Sequence, residues 1–66
     1  MNIFINGESR EVPAETTAAQ LLDILALRGK RLAMEVNEEI VPRSTFEQHQ
    51  FTSGDKVEIV HAIGGG

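Results

Sequence analysis

The chain has 66 residues, 41% of them hydrophobic, no cysteine, and a formal net charge of −4. This length allows a single globular domain, without disulfides and without a thiolate as nucleophile or zinc ligand. The acidic balance argues against nucleic acid and anionic membranes as partners. No apolar run approaches the roughly 20 residues that span a bilayer, and no secretory signal opens the chain, so we expect a cytoplasmic protein.

The first two predicted elements are strands that form a hairpin. Residues 2–6 (NIFIN) are rich in β-branched and aromatic side chains, which favours a strand with Ile3 and Phe4 on opposite faces. The dipeptide Asn6-Gly7 follows, and both of its residues tolerate the positive φ of a tight turn. Residues 8–12 are therefore predicted to be the returning strand.

One amphipathic helix is predicted after the hairpin. Thr17 and Gln20 have the spacing of a capping box, in which the hydroxyl and the amide each accept from a free backbone N–H. Apolar residues then recur with the helical period, at Ala18, Leu21, Leu22 and Leu25. Gly29 is predicted to take the left-handed conformation that ends this helix, and the basic residues beside it suit the negative end of the helix dipole.

Two further strands and a helical turn are predicted in the second half. Residues 32–37 (LAMEVN) alternate in polarity like a half-buried strand, and residues 40–41 form a short strand after a turn. Ser44 and Glu47 repeat the capping-box spacing. They predict one helical turn, from which Phe46 enters the core.

The last predicted strand covers residues 56–63 (KVEIVHAI), with Val57 and Ile59 on its buried side. The resulting order, β-β-α-β-β-turn-β, predicts the α+β class: a roll with a mixed sheet of four to five strands over one helix. The first and last strands would lie side by side at its centre. Residues 1–66 would form this one domain, ending in a flexible glycine tail at residues 64–66.

The helix covers one face of the predicted sheet and leaves the other open. Phe4, Val60 and Ala62 are predicted to point to the open face. Scattered exposed hydrophobic residues are normal, but adjoining ones form a patch, and a patch indicates an interaction surface. The strand order predicts that these three adjoin and dock a partner.

No group of catalytic or metal-binding residues is apparent in the sequence. His49 and His61 have no carboxylate at metal-binding spacing, and Ser44 and Ser53 lack a context that activates a nucleophile. The acidic residues within 35–39 fit a solvated strand edge better than a cation site, and no glycine-rich loop precedes a helix to cradle a phosphate. We expect no catalytic residue, no metal and no cofactor bound by the chain itself.

The sequence ends on three glycines, Gly64, Gly65 and Gly66. Glycine lets a backbone be held closely on all sides, and three extended residues reach about 10 Å. The open face would dock a partner while the tail carries the carboxylate of Gly66 into the partner's cleft. A carboxylate is a poor electrophile, so it needs activation, typically as an acyl-adenylate, before it accepts sulfur, a lysine or a cysteine nucleophile.

Three stretches make the chain resemble the ubiquitin-like β-grasp sulfur carriers, and within them the ThiS-like carriers of thiamine biosynthesis. The stretches are MNIFINGES at the start, the NxEIVPR segment from Asn37 to Arg43, and SGDKVEIVHAIGGG at the end. The resemblance implies that an E1-like, ThiF-type adenylyltransferase uses ATP and magnesium to adenylate Gly66. It implies that a cysteine desulfurase or related donor supplies the sulfur of a thiocarboxylate, and that a ThiG-type thiazole synthase receives it.

The resemblance also implies a protein co-substrate rather than an enzyme, which we expect to be monomeric when free. Gly65 and Gly66 match the family's terminal pair. Arg43 matches the Pro-Arg of the family pattern, where it could contact a partner or support the helical turn, and we expect the second role. Two alternatives stay open: a sulfur carrier like the small subunit of molybdopterin synthase, and a β-grasp binding module or protein modifier. Length and the NxEIVPR segment favour the thiamine carriers over the molybdopterin ones.

Overall fold

The computed structural model describes residues 1–61, which form five strands, one α-helix and one 3₁₀ turn. In chain order these are β1 (Asn2–Ile5), β2 (Glu8–Glu11), α1 (Ala18–Ile24), β3 (Leu32–Val36), β4 (Glu39–Val41), the 3₁₀ turn (Arg43–Thr45) and β5 (Lys56–His61). The strand bounds agree with the predicted ones to within one residue wherever both can be compared. Residues 62–63 of the predicted last strand and the predicted tail at 64–66 lie outside the described residues.

The strands form one sheet in the order β2-β1-β5-β3-β4. β5 runs parallel to β1, whereas β1 with β2, β3 with β4 and β3 with β5 are antiparallel. The first and last strands therefore lie side by side at the centre, as predicted. The sheet is mixed and α1 covers one face of it, so the predicted α+β roll of β-grasp type is confirmed.

The core lies between α1 and the inner face of the sheet. Its buried hydrophobic residues form one cluster: Ile3, Val12, Ala18, Ala19, Leu21, Leu22, Met34, Val36, Val41, Phe46, Phe51, Val57 and Ile59. Full burial of one such aliphatic side chain contributes roughly 1.5–3 kcal/mol to stability. The strand residues in the cluster follow the period-2 alternation of the sequence, and those of α1 follow the helical period.

The N-terminus of α1 is capped from two directions. The Gln20 N–H donates to Oγ1 of Thr17 at 3.2 Å, and the Thr17 N–H donates to Oε1 of Gln20 at 2.9 Å, so the predicted capping box is confirmed. The N–H groups of Ala18 and Ala19 donate instead to carbonyls of the loop that follows the 3₁₀ turn. Since the first N–H groups of a helix have no partner within the helix, these bonds fasten that loop to α1.

Gly29 takes the predicted left-handed conformation (φ 83°), but the prediction that it ends the helix is wrong, because α1 stops at Ile24. Ala26 takes the left-handed conformation (φ 59°). Its N–H donates to the Asp23 carbonyl at 3.1 Å, and the Leu27 N–H donates to the Leu22 carbonyl at 2.7 Å. These two bonds form a Schellman motif, in which a hydrophobic residue after the left-handed position packs back onto the helix. Leu27 packs against the core in this way, so tertiary burial decides where the helix ends.

Ala26→Gly is expected to raise the free energy of unfolding by about 0.5–1 kcal/mol, because alanine is strained at the left-handed position and glycine is not. Chemical denaturation followed by far-UV circular dichroism measures the change. Ala14→Gly is the matched control: Ala14 is an exposed turn residue whose φ is not positive. At Ala14, glycine relieves no strain and adds backbone entropy to the unfolded chain, so we expect no gain in stability. An equal rise in both variants would contradict the left-handed strain assigned to Ala26.

A bidentate ion pair follows the end of α1. Nε and Nη2 of Arg28 donate to the two carboxylate oxygens of Asp23, each at 2.6 Å. The hydrogen bonds from Arg28 lower the pKa of Asp23, and the same bonds raise the pKa of Arg28. Both side chains are about half exposed, and ion pairs exposed to solvent add little to stability. Arg28 thus neutralises the charge of Asp23 in the last turn of the helix.

The predicted capping box of Ser44 and Glu47 is also wrong. The turn begins one residue earlier, at Arg43, after Pro42 in an extended conformation, and no side chain caps it. Phe46 is buried, as predicted. Nη2 of Arg43 donates to the Lys30 carbonyl at 2.9 Å, and its guanidinium lies 5.9 Å from the centroid of the Phe46 ring. Through these contacts Arg43 joins the turn to Lys30 and Phe46, as expected of a residue that supports the turn.

Candidate functional site

The candidate site is the C-terminal end of β5, the central strand of the sheet. β5 ends at His61, which pairs with Leu32 of β3. The tail residues predicted to enter a partner's active site, Gly64, Gly65 and Gly66, lie outside the described residues, as does Ala62. Their roles stay predictions, and the described structure shows the strand from which the chain continues toward them.

The side chain of Asn6 contacts β5 two residues before the strand ends. The Ile59 N–H donates to Oδ1 of Asn6 at 2.9 Å, and Nδ2 of Asn6 donates to the Ile59 carbonyl at 3.3 Å. Asn6 lies in the turn between β1 and β2, with φ 50°. Its backbone N–H also donates to the Val57 carbonyl at 2.8 Å. The dipeptide Asn6-Gly7 predicted the turn, but not this contact with a strand 53 positions away.

Asn37 makes a corresponding contact at the start of β5. It opens the turn between β3 and β4, with φ 52°. Its backbone N–H donates to the Lys56 carbonyl at 2.7 Å, and its Oδ1 accepts from the Lys56 N–H at 3.0 Å. Its Nδ2 donates to Oδ1 of Asp55 at 3.0 Å. The two hairpin turns therefore hold β5 from opposite sides, Asn37 near its beginning and Asn6 near its end.

Phe4 and Val60 lie on the open face, as predicted, and are 39% and 59% exposed. They do not adjoin, however. Phe4 is level with Lys56, four residues before Val60, so the two lie about 13 Å apart along the strand direction. On the same face, Lys56 lies beside Phe4, and Glu58 lies between Lys56 and Val60. The expected single apolar patch is thus divided by charged residues, and the docking role of its members stays a prediction.

Two features of the open face were not predicted. Ile40 of β4 is 64% exposed, more than Phe4 or Val60. Beside it, Glu35 of β3 lies directly opposite Glu58 of β5. Like charges in such a cross-strand pair repel each other, and a cation from a partner would relieve the repulsion. The alternating polarity of β3 and β4 could have predicted that Ile40 is exposed. The glutamate pair could not be predicted, because it depends on the register of β3 against β5.

The two histidines occupy different environments. His49 packs edge-on against Phe51, with ring centroids 5.5 Å apart. His61 lines a groove of about 440 Å³ between the end of β5, the β1–β2 hairpin and the residues after α1. Within residues 1–61, no three His, Asp or Glu side chains are grouped so that they could hold a metal ion.

Over the same residues, no helix is long and apolar enough to cross a membrane.

A mixed sheet that wraps over one helix and places its first and last strands in parallel contact defines a β-grasp protein. A solved structure with this fold is the crystal structure of the thiamine biosynthesis protein ThiS from Geobacter metallireducens. It aligns with a TM-score of 0.86 and 29% identity over the full length of both chains. Residues 3–66 match the ThiS family, and the chain belongs to that family.

Two relatives differ in how much of their length is similar to this chain. The sulfur carrier protein ThiS of Escherichia coli is 33% identical over 66 residues, which cover all of both chains. The thiazole synthase of Paramagnetospirillum magneticum is 46% identical over 66 residues, which are all of this chain and 20% of that protein. The chain thus spans about a fifth of the length of the thiazole synthases that it matches. In those proteins a segment like this chain forms part of a longer polypeptide.

Proposed function

We propose that this chain is a sulfur carrier protein of thiamine biosynthesis, which carries sulfur as a thiocarboxylate at Gly66. The observation that carries the proposal is the family match, which runs through to Gly66. The end-to-end similarity to the E. coli carrier and the central position of β5 support it. A strand held by neighbours on both sides is a rigid base from which a short tail can be presented to a partner.

The chemistry begins with attack of a Gly66 carboxylate oxygen on the α-phosphorus of ATP. An acyl-adenylate forms and pyrophosphate leaves. Hydrosulfide then displaces AMP to give the thiocarboxylate directly, whereas the terminal sulfur of a donor's persulfide gives an acyl disulfide. Two electrons from a thiol release the thiocarboxylate from that disulfide. Because this chain has no cysteine, the thiol belongs to a partner.

The partners follow from this chemistry. A ThiF-type adenylyltransferase binds ATP and magnesium, a cysteine desulfurase or related donor supplies sulfur, and a ThiG-type thiazole synthase accepts it. The match to segments of two thiazole synthases supports the last partner, and it favours thiamine over molybdopterin synthesis. The chain itself is a co-substrate that acts in the cytoplasm and is not an enzyme. Phe4, Val60 and Ala62 contribute to docking, together with the Glu35–Glu58 pair.

Intact mass spectrometry tests the proposal. Protein from its native cells, grown without thiamine, is expected to include a species about 16 Da heavier, since one oxygen is replaced by sulfur. In a reconstituted reaction with the activating enzyme and sulfur donor, the same gain should require ATP. Protein that stays at its unmodified mass in both preparations would contradict a sulfur carrier, and adducts to lysines of other proteins would indicate a modifier. Transfer of the sulfur to a molybdopterin synthase large subunit, and not to thiazole synthase, would contradict the thiamine assignment.

A further inference from the structure

The side chain of Asn6 extends the pairing between β1 and β5 beyond the backbone ladder. The ladder ends where Ile5 lies opposite Val57, because the chain turns away from β5 at Asn6. The amide of Asn6 then bonds to both main-chain groups of Ile59, two residues further along β5. A carboxamide has an acceptor oxygen beside a donor NH₂ group, so it can replace a backbone peptide group as the partner of a strand.

The left-handed conformation of Asn6 makes this replacement possible. Asparagine is among the few residues that take positive φ readily, and its short side chain reaches nearby backbone groups. Both bonds to Ile59 are partly shielded from solvent, and the Ile59 side chain is buried. The direction of β5 is therefore fixed at Ile59 from the β1 side as well as by β3. Seven residues later the chain reaches Gly66.

We propose that Asn6 is a positioning residue, which holds the end of β5 so that the chain leaves the sheet in the direction that delivers Gly66. This inference rests on the proposed function, since the delivered group is the carboxylate of Gly66. Without the Asn6 amide, Ile59 keeps its pairing with Met34 of β3 and loses the bonds on its other side. The end of β5 then samples more directions, and fewer docked complexes place the carboxylate correctly.

Asn37 supplies a control, because it resembles Asn6 in conformation and in its side-chain bond to the backbone of β5. It differs in that its second side-chain bond goes to Asp55 and both of its bonds are exposed to solvent. Both residues have positive φ, both open a hairpin turn, and both bond through the side chain to the backbone of β5. Asn37 bonds at Lys56, the first residue of the strand, and Asn6 at Ile59, near its end. Replacement by glycine suits the positive φ at both sites, so Asn6→Gly and Asn37→Gly each remove only the side chain.

The experiment compares amide exchange and adenylation kinetics in these variants. We expect Asn6→Gly to speed exchange of the Ile59 amide, which loses its acceptor, while Asn37→Gly speeds exchange of the Lys56 amide instead. With a ThiF-type adenylyltransferase, we expect Asn6→Gly to lower kcat about tenfold with little change in KM, because misplacement of a reacting group lowers the rate of a bound complex. Asn37→Gly should leave kcat within about twofold, although it too loses two side-chain hydrogen bonds.

Asn6→Asp adds a conservative test, since it keeps an oxygen acceptor for the Ile59 N–H and loses the donor to the carbonyl. Its kcat should fall between those of wild type and Asn6→Gly. Equal kcat values for the two glycine variants would overturn the proposal. If the wild type is not adenylated at all, the proposed function fails. Amide exchange alone then tests whether Asn6 holds the end of β5. If the Ile59 amide exchanges at the wild-type rate in Asn6→Gly, that role is overturned. Faster exchange that is confined to the end of β5 supports it.

Discussion

Removal of Gly66 is expected to lower the rate of thiocarboxylate formation by at least about 100-fold and to leave the fold unchanged. The shortened chain still ends in two glycines, but its carboxylate lies one residue, about 3.3–3.6 Å, short of its former reach. Adenylation requires the reacting atoms to approach to about 3–3.5 Å, and a displacement of about 1 Å can cost 100-fold in rate. Intact mass spectrometry over time, with the activating enzyme, the sulfur donor and ATP, measures the effect.

Gly64→Ala is the matched control for this truncation. It changes the same three-residue segment but keeps both the length of the chain and the terminal Gly65-Gly66 pair. We expect it to react at close to the wild-type rate, because the family resemblance assigns the function to the last two glycines. If the truncated chain is thiocarboxylated as fast as Gly64→Ala, reach does not limit the reaction and the delivery mechanism proposed for Gly66 is wrong.

Leu21→Ala is expected to lower the free energy of unfolding by about 2–5 kcal/mol. Leu21 is fully buried in the helix face that packs on the sheet. Removal of its side chain loses burial and leaves a cavity that the core cannot fill. At roughly 0.05–0.15 kcal/mol per residue, the whole domain has only about 3–10 kcal/mol of stability, so much of the variant should be unfolded at moderate temperature. Urea unfolding followed by far-UV circular dichroism is suitable, since the chain has no tryptophan or tyrosine.

Ile24→Ala is the control for this substitution, one turn further along α1. Ile24 is 40% exposed, so its truncation removes less buried surface and leaves no closed cavity. We expect a loss below about 1 kcal/mol. Similar losses in the two variants would mean that the helix is not anchored through the face on which Leu21 lies.

Features that depend on a few neighbouring residues could be predicted from the sequence. Asn6-Gly7 specified the first turn, since few other residues accept positive φ twice in succession. Thr17 and Gln20 specified the start of α1, because a capping box forms between groups three positions apart. The alternation in β3 and β5 specified which side chains are buried, since successive residues of a strand point to opposite faces. The resemblance of the last segment to the β-grasp carriers indicated the family.

Features that join distant parts of the chain could not be predicted in this way, because they depend on how the whole chain packs. The burial of Leu27 ended α1 before Gly29, although Gly29 carried the stronger local signal. The register of β1 against β5 separated Phe4 from Val60, because a shift of four residues along a strand is not visible in the pattern of either strand alone. The bonds from Asn6 to Ile59 join residues 53 positions apart, and no local pattern contains them. Short-range rules place turns, caps and faces, whereas the packing of the whole chain decides which of those parts meet.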